Sequence, residues 1–305
     1  MIKSLLERLN NGEILICDGS TGIALQYKGC NPGESVEKWG LEHKDILMSL
    51  HAGYIDAGAD IILTNTLGGN GIKLKKYGLE NEVTSLNKAL AELAREVVSR
   101  YTKPVYVAGN LGPSGELMEP YGILSESDMI EAFSQQVKAL IDGGVDFIFI
   151  ETMIDVNEAV SAVKAVKVSC DLPVFASMSF NPDRNGFRTV MGNTPEQAVD
   201  MLQSAGADVV GSNCGSVLAS MMPDLIKQMK SAGAKFIVVE PNAGIPQLIN
   251  GRTIFPETPE EMAVHVPAMI DAGANVVGGC CGAMAEHIKL IAQTARDHIS
   301  KKNKV

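Results

Sequence analysis

The chain lacks a basic stripe. Its 26 Lys and Arg stand against 36 Asp and Glu, a net charge of −10, which argues against nucleic acid, whose binding rests on neutralising phosphates. It also lacks any run of about 18 uncharged apolar residues, so no membrane span is expected. Met1 to Asn10 reads as the start of a short amphipathic helix carrying Lys3, Glu7 and Arg8, without the apolar core of a signal peptide. There is no low-complexity segment and no domain linker. The glycine-rich stretch Leu67-Gly68-Gly69-Asn70-Gly71 lacks the spacing of a dinucleotide fingerprint and reads as a long loop between strand and helix. Aromatic residues are scarce at 5%, with a single tryptophan, Trp39, in a predicted loop after the first strand. These absences leave a soluble, cytoplasmic protein whose partner is a small molecule or another protein. In that compartment six cysteines stay reduced, and clustered ones read as metal ligands or catalysts before disulfides.

What is present is a large core and a repeat. At 305 residues and 46% hydrophobic content, residues 1–305 suffice for one α/β barrel domain. One phrase recurs: Ile55-Asp56-Ala57-Gly58-Ala59-Asp60-Ile61, Ile141-Asp142-Gly143-Gly144-Val145-Asp146-Phe147, Gln203-Ser204-Ala205-Gly206-Ala207-Asp208-Val209 and Ile270-Asp271-Ala272-Gly273-Ala274-Asn275-Val276. Each gives a helix end, a glycine suited to the C′ position, then Asp or Asn leading into an apolar strand. Four more apolar runs lie between them: Ile14–Cys17, Val105–Ala108, Val174–Met178 and Phe236–Val239. Thr194-Pro195-Glu196-Gln197 and Thr258-Pro259-Glu260-Glu261 carry capping-box helix starts with Pro at the first helical position. Eight strands with helical spacers predict a closed (β/α)8 TIM barrel; an open doubly wound sheet is the rival.

In such barrels chemistry sits where strands end. The residues delivered there are Asp18, Asn65, Asn110, Glu151, Asn181, Asn213, Cys214, Glu240, Asn242, Cys280 and Cys281; some serve only as caps and turn formers. The cysteines carry the most information. Neighbouring side chains on a strand face opposite ways, so Cys280 and Cys281 can reach one point only through a kink, which the flanking Gly278, Gly279 and Gly282 permit. If Cys214 ends the sixth strand and the pair ends the eighth, alternate strands bring the three sulfurs to one interior layer. Three thiolates with a fourth position open describe a catalytic zinc site, needing bonds of about 2.3 Å. A vicinal disulfide at Cys280 and Cys281 would leave Cys214 unexplained. Cys17, Cys30 and Cys170 read as small buried hydrophobes.

Several segments together resemble the zinc-dependent homocysteine S-methyltransferase family: Asp18-Gly19-Ser20-Thr21-Gly22, Thr64-Asn65-Thr66, Gly109 to Leu117, Glu151-Thr152, Asn213-Cys214, Glu240-Pro241-Asn242-Ala243-Gly244 and Gly278-Gly279-Cys280-Cys281-Gly282. The likeness runs from about Ile14 to about Ala295. Leu111 to Leu117 and Glu240 to Pro246 look most like the homocysteine-binding N-terminal module of cobalamin-dependent methionine synthase, in a standalone form. Ala283 departs from that module, which usually has Thr there. No folate or cobalamin module follows the eighth predicted helix, and none of the five histidines lies in the Asp-x-His-x-x-Gly pattern of corrinoid proteins.

The resemblance implies that Cys214, Cys280 and Cys281 hold Zn2+ and that homocysteine's sulfur takes the open position. The cysteines are then catalytic as spectator ligands, whose charge keeps the incoming sulfur nucleophilic enough to accept a methyl group and give methionine. It further implies that Glu151 and Asp18 face the substrate ammonium, that backbone N–H groups of Gly19, Ser20 and Thr21 hold its carboxylate, and that Asn65 and Asn242 line the pocket. A quaternary ammonium donor such as betaine wants an aromatic cage, which this chain is poorly supplied to build. A methylcorrinoid protein supplied in trans is therefore the expected donor, docking on a flat surface around the barrel mouth. S-methylmethionine, betaine or another thiol acceptor remain as alternatives, and a non-enzymatic zinc-binding barrel would require a fourth protein ligand.

Overall fold

A computed structural model of the chain describes residues 4–249 and 251–302; of the predicted N-terminal helix start, Met1 to Lys3 lie outside them. Eight parallel strands form the sheet: β1 (Leu15–Ile16), β2 (Ile61–Leu63), β3 (Tyr106–Leu111), β4 (Phe147–Met153), β5 (Val174–Met178), β6 (Val209–Asn213), β7 (Ile237–Glu240) and β8 (Val276–Val277). They are hydrogen-bonded in the order β1-β8-β7-β6-β5-β4-β3-β2, with helices between successive strands. This is the expected (β/α)8 barrel. Two small hairpins, Asn181–Asp183 with Gly186–Arg188 and Gln247–Ile249 with Arg252–Ile254, branch from the strand ends.

The repeated phrase has a specific structural task. Gly58, Gly206 and Gly273 end their helices in the left-handed region, as a C′ glycine should. The Asp or Asn that follows then clamps its strand to the preceding one by a reciprocal pair of bonds. Asp60 donates its N–H to the Ile16 carbonyl at 2.7 Å and accepts the Ile16 N–H on its carboxylate at 3.0 Å. Asp146 does the same with Val107, Asp208 with Val174, and Asn275 with Ile237. Strands β1 and β8 are two residues long, so these clamps supply much of the register. They matter most between β1 and β2, where Asp60, together with Asp18 accepting the Leu63 N–H at 2.9 Å, closes the seam with side chains.

Inward-facing residues fill the barrel. Leu15, Ile61, Leu63, Phe147, Phe149, Phe175, Val209, Val238 and Val276 form one apolar cluster, and Phe147 and Phe175 rings meet at 4.5 Å. Leu5 and Leu9 on the helix Leu5–Asn10 cover its lower end. Burial of each large side chain is worth about 1.5–3 kcal/mol, so the interior is rigid and the upper strand ends hold their positions. Cys17 lies in this interior and Cys30 in a second cluster under the first helices, as small buried hydrophobes do.

Three local expectations change. Trp39 is not in a loop: it lies on the helix Val36–Glu42, buried, with its ring stacked on His43 at 3.9 Å. The loop after β2 is shorter than expected, because the Asn70 side chain accepts the Lys73 N–H and starts a helix at Gly71. Asn181 sits in the first hairpin and pairs with Ser216.

Asp60→Ala removes the carboxylate half of the β1–β2 clamp and is expected to cost about 1–3 kcal/mol in urea unfolding. His51 is fully buried on the helix Lys44–Ala57, with neither ring nitrogen partnered, and burial lowers its pKa from 6.5 to about 4. The unfolded chain binds the proton first, so stability is full above pH 6.5 and falls as pH drops toward 4. At about 1.4 kcal/mol per pH unit, His51 alone accounts for a loss of roughly 3 kcal/mol. His51→Leu is expected to lack that component when unfolding is compared at pH 7 and pH 4.

Candidate active site

The three cysteines meet at the upper mouth of the barrel. Their Sγ atoms lie within 4.8 Å of one another, and Cys214 and Cys281 are 3.9 Å apart. All are free thiols. The kink differs from the one expected. Gly278 and Gly279 have no positive φ; they are glycine because a Cβ would strike Cys17 at 2.7 Å and Ala283 at 2.3 Å respectively. The left-handed backbone falls at Gly282 and at Cys214 itself, with φ 55°. A non-glycine residue held there carries a cost of order 1–3 kcal/mol. The end of β7 splints the two cysteine segments together: Cys280 donates its N–H to the Pro241 carbonyl, Cys281 donates its N–H to Asn242 Oδ1, and Asn242 Nδ2 donates to the Gly215 carbonyl at 2.9 Å.

Beside the sulfurs, Asn213 forms a hub. Its Oδ1 accepts the Thr152 N–H at 2.7 Å and the Ser177 hydroxyl at 2.5 Å. Its Nδ2 donates to Glu151 at 2.7 Å, to Thr152 Oγ1 at 2.8 Å and toward Cys280 Sγ at 3.5 Å. Thr152 has φ 63°, an outlier for a β-branched residue. Asn213 thus fixes a strained turn, a carboxylate and a thiol with one amide. Asn110 holds the other oxygen of Glu151 at 2.8 Å.

A cavity of about 330 Å³ opens onto the three cysteines and runs past Asp18, Glu151 and Glu240 toward Gln26, Lys73 and Tyr77. Of the residues expected to bind substrate, Asp18, Gly19, Ser20, Thr21, Asn65 and Glu151 border it. Ser20 already donates its N–H to the Ala283 carbonyl at 2.9 Å, and Asn65 Nδ2 is donated to the Val36 carbonyl. Asn242 is directed away from the cavity, into the splint. Glu240, Asn110, Asn213, Thr152 and Tyr77 complete the site without having been singled out as binding residues. Glu240 and the two asparagines were visible as strand-end residues, whereas Tyr77 comes from a single turn, Lys75–Tyr77, and left no signal.

The electrostatics lower the pKa of one thiol and raise those of the neighbouring carboxyl groups. Hydrogen bonds from Cys280 and Cys281 lower the pKa of Cys214, helped by the Gly215 N–H and Asn242, against the effect of burial. The same contacts raise Cys280, and Cys281 is raised chiefly by Cys214. Burial, with the charge of Cys214, pushes Glu151 up to about 7, opposed by the Asn110 hydrogen bond. Asp18 and Glu240 are also raised, mainly by burial and then by neighbouring carboxylates. Three convergent soft donors with a cavity on their open side suit zinc. Among the described residues no fourth His, Cys, Asp or Glu joins the cluster, so an all-protein closed site does not form.

A family model described as homocysteine S-methyltransferase matches residues 15–295. Among solved structures, the metallated form of the homocysteine methyltransferase MmuM from Escherichia coli superposes with a TM-score of 0.79 at 22% identity, covering 95% of this chain and 99% of that one. Its oxidised form gives 0.79 at 23%, covering 96% and 100%. The carboxyl transferase domain of Rhizobium etli pyruvate carboxylase gives 0.52 at 13%, over 94% of this chain and 48% of that one. At these identities the structural matches establish the barrel.

Asn213→Ala removes the hub and frees the Thr152 turn. It is expected to weaken zinc binding by roughly 10–100-fold, the usual loss when a group that orients a ligand is removed, measured by competition with a chromogenic chelator.

Proposed function

The chain belongs to the homocysteine S-methyltransferase family and is a methyltransferase, and from that premise we propose that it methylates the sulfur of homocysteine, giving methionine, with zinc held by Cys214, Cys280 and Cys281. The observation that carries this is the convergence of three thiols on the wall of a cavity whose other wall is carboxyl-rich. Zinc bound there keeps a thiol deprotonated at neutral pH and so supplies a nucleophilic sulfur.

The chain's own residues do the rest. Cys214, Cys280 and Cys281 supply anionic ligands that limit the metal's electrophilicity. Asn242 and the β7 end keep them in place. Glu151, fixed by Asn110 and Asn213, and Asp18, fixed by the Leu63 N–H, face the substrate ammonium. Gly19, Ser20 and Thr21 border the place for its carboxylate, with Asn65 as part of the wall. Water is restricted because the carboxyl groups lie deep in the barrel mouth.

For the methyl donor we favour a corrinoid protein in trans. An aromatic cage for a quaternary ammonium is missing among the described residues of the cavity, where Tyr77 is the lone aromatic and Trp39 is buried against His43. The loops around the mouth expose apolar side chains, Tyr121 and Ile123 after β3, and Ile245 and Leu248 after β7, which suits a large docking partner. The cavity's extension to Gln26, Lys73 and Tyr77 favours a second reading, a small sulfonium donor such as S-methylmethionine. No described helix is long and apolar enough to cross a membrane, and three reduced thiols fit a cytoplasmic site.

Zinc-loaded protein incubated with homocysteine and, separately, methylcobalamin, S-methylmethionine or betaine is expected to form methionine from methylcobalamin and to be inactive with betaine. Methionine appearing from betaine alone would overturn the donor assignment.

A further inference from the structure

We propose that Tyr54, which lies outside the cavity, is a positioning residue: its hydroxyl locks the loop of residues 18–21 to the cysteine turn of residues 280–283, and so sets the distance between the acceptor's amino-acid end and its sulfur end. This rests on the acceptor reading above and adds to it a residue that acts without touching the acceptor.

Both segments border the cavity, residues 18–21 from above β1 and Cys280 and Cys281 from above β8. The strands beneath give them little register. β1 and β8 pair over two residues, Leu15 with Val276 and Ile16 with Val277, and among the described residues no Asp or Asn clamp like that of Asp60 joins this pair. The joint is made above the strands instead: Ser20 donates its N–H to the Ala283 carbonyl at 2.9 Å, and Gly279 donates its N–H to the Asp18 carbonyl at 3.2 Å.

Tyr54 closes this joint from behind. From the helix Lys44–Ala57 its hydroxyl donates to the Ser20 carbonyl at 2.8 Å and lies 3.4 Å from the Ala283 carbonyl, so one phenol reaches both segments. It is fully buried, and solvent cannot replace the bond once it is removed. The fit leaves no slack at Gly19, where a Cβ would stand 2.3 Å from the Ala283 oxygen and 2.8 Å from the Tyr54 ring. Ala283 in turn donates its N–H to the Cys280 carbonyl at 3.1 Å, which carries the joint into the turn of the cysteines themselves.

An acceptor gripped at its sulfur and at its amino-acid end is a two-point ligand, and its binding depends on the spacing of the two points. Without the hydroxyl, residues 18–21 are free to shift against the turn. The sulfur end is held separately, by the cysteines and the Asn242 splint. Loss of the Tyr54 hydroxyl therefore weakens only those thiols that use both points.

The test is calorimetric binding to zinc-loaded protein of homocysteine and of propane-1-thiol, which is homocysteine without its ammonium and carboxylate. Wild type is expected to prefer homocysteine by on the order of 100-fold or more. Tyr54→Phe keeps the ring and is expected to lose about fivefold to tenfold in homocysteine affinity, the worth of a buried hydrogen bond, with propane-1-thiol unchanged and zinc content unaltered. Gly19→Ala forces a methyl into the same joint and is expected to lose homocysteine as selectively, which keeps the test open if the Phe variant does not fold. Equal weakening of both thiols, or none, would overturn the positioning role. A wild-type protein that binds propane-1-thiol as tightly as homocysteine would instead remove the acceptor reading, and Tyr54's role with it.

Discussion

One amide, that of Asn213, holds together components that would otherwise separate. It satisfies a carboxylate, a strained threonine turn and a thiol at the same time, and it is fully buried at the end of β6. The next residue, Cys214, is in the left-handed region, where its thiol turns out of the strand's alternation toward Cys281. Strain at Thr152 and Cys214 persists because Asn213 and the β7 end over-determine both backbones. Three thiols held within 4.8 Å of one another need this stiffness, since thiolates at that spacing would repel one another and relax apart unless the scaffold prevented it.

The scaffold can do so because its strands are clamped below by side chains. Very short strands would leave a barrel free to slide in register; each Asp or Asn that closes a repeated phrase fixes two strands through one backbone and one side-chain bond. The interior above those clamps is built mainly of Leu, Ile, Val and Phe, and the polar residues of the site gather at the upper ends of the strands. Chemistry and stability therefore occupy different heights of the same barrel.

Much of this was legible in the residues. The four repeated phrases, a glycine followed by Ala or Val and then Asp or Asn, announced four strands, and apolar runs between them announced the rest, because helix C-caps and buried parallel strands leave strong local patterns. The cysteines were legible because three soft ligands at strand ends have few other uses. What was not legible is direction. Asn242 was expected to line the pocket and instead bridges two loops, since nothing in Glu-Pro-Asn-Ala-Gly says which way its amide points. The glycines beside Cys280 and Cys281 were read as conformational freedom, yet Gly278 and Gly279 serve close packing, and the unusual backbone belongs to a cysteine. Glu240 was seen as a strand-end residue; that one of its oxygens lies unsatisfied can only be known once its neighbours are placed.

The clamps have a mechanical corollary. Each joins an odd strand to the even strand after it, so the lower barrel is four quarter-barrels, β1 with β2, β3 with β4, β5 with β6, and β7 with β8. The sulfurs cross that division: Cys214 tops the third quarter, Cys280 and Cys281 the fourth. An ion gripped by all three would then act as a rivet between quarters that no Asp or Asn clamp below unites, and loading the site would tighten the seam beneath the three cysteines.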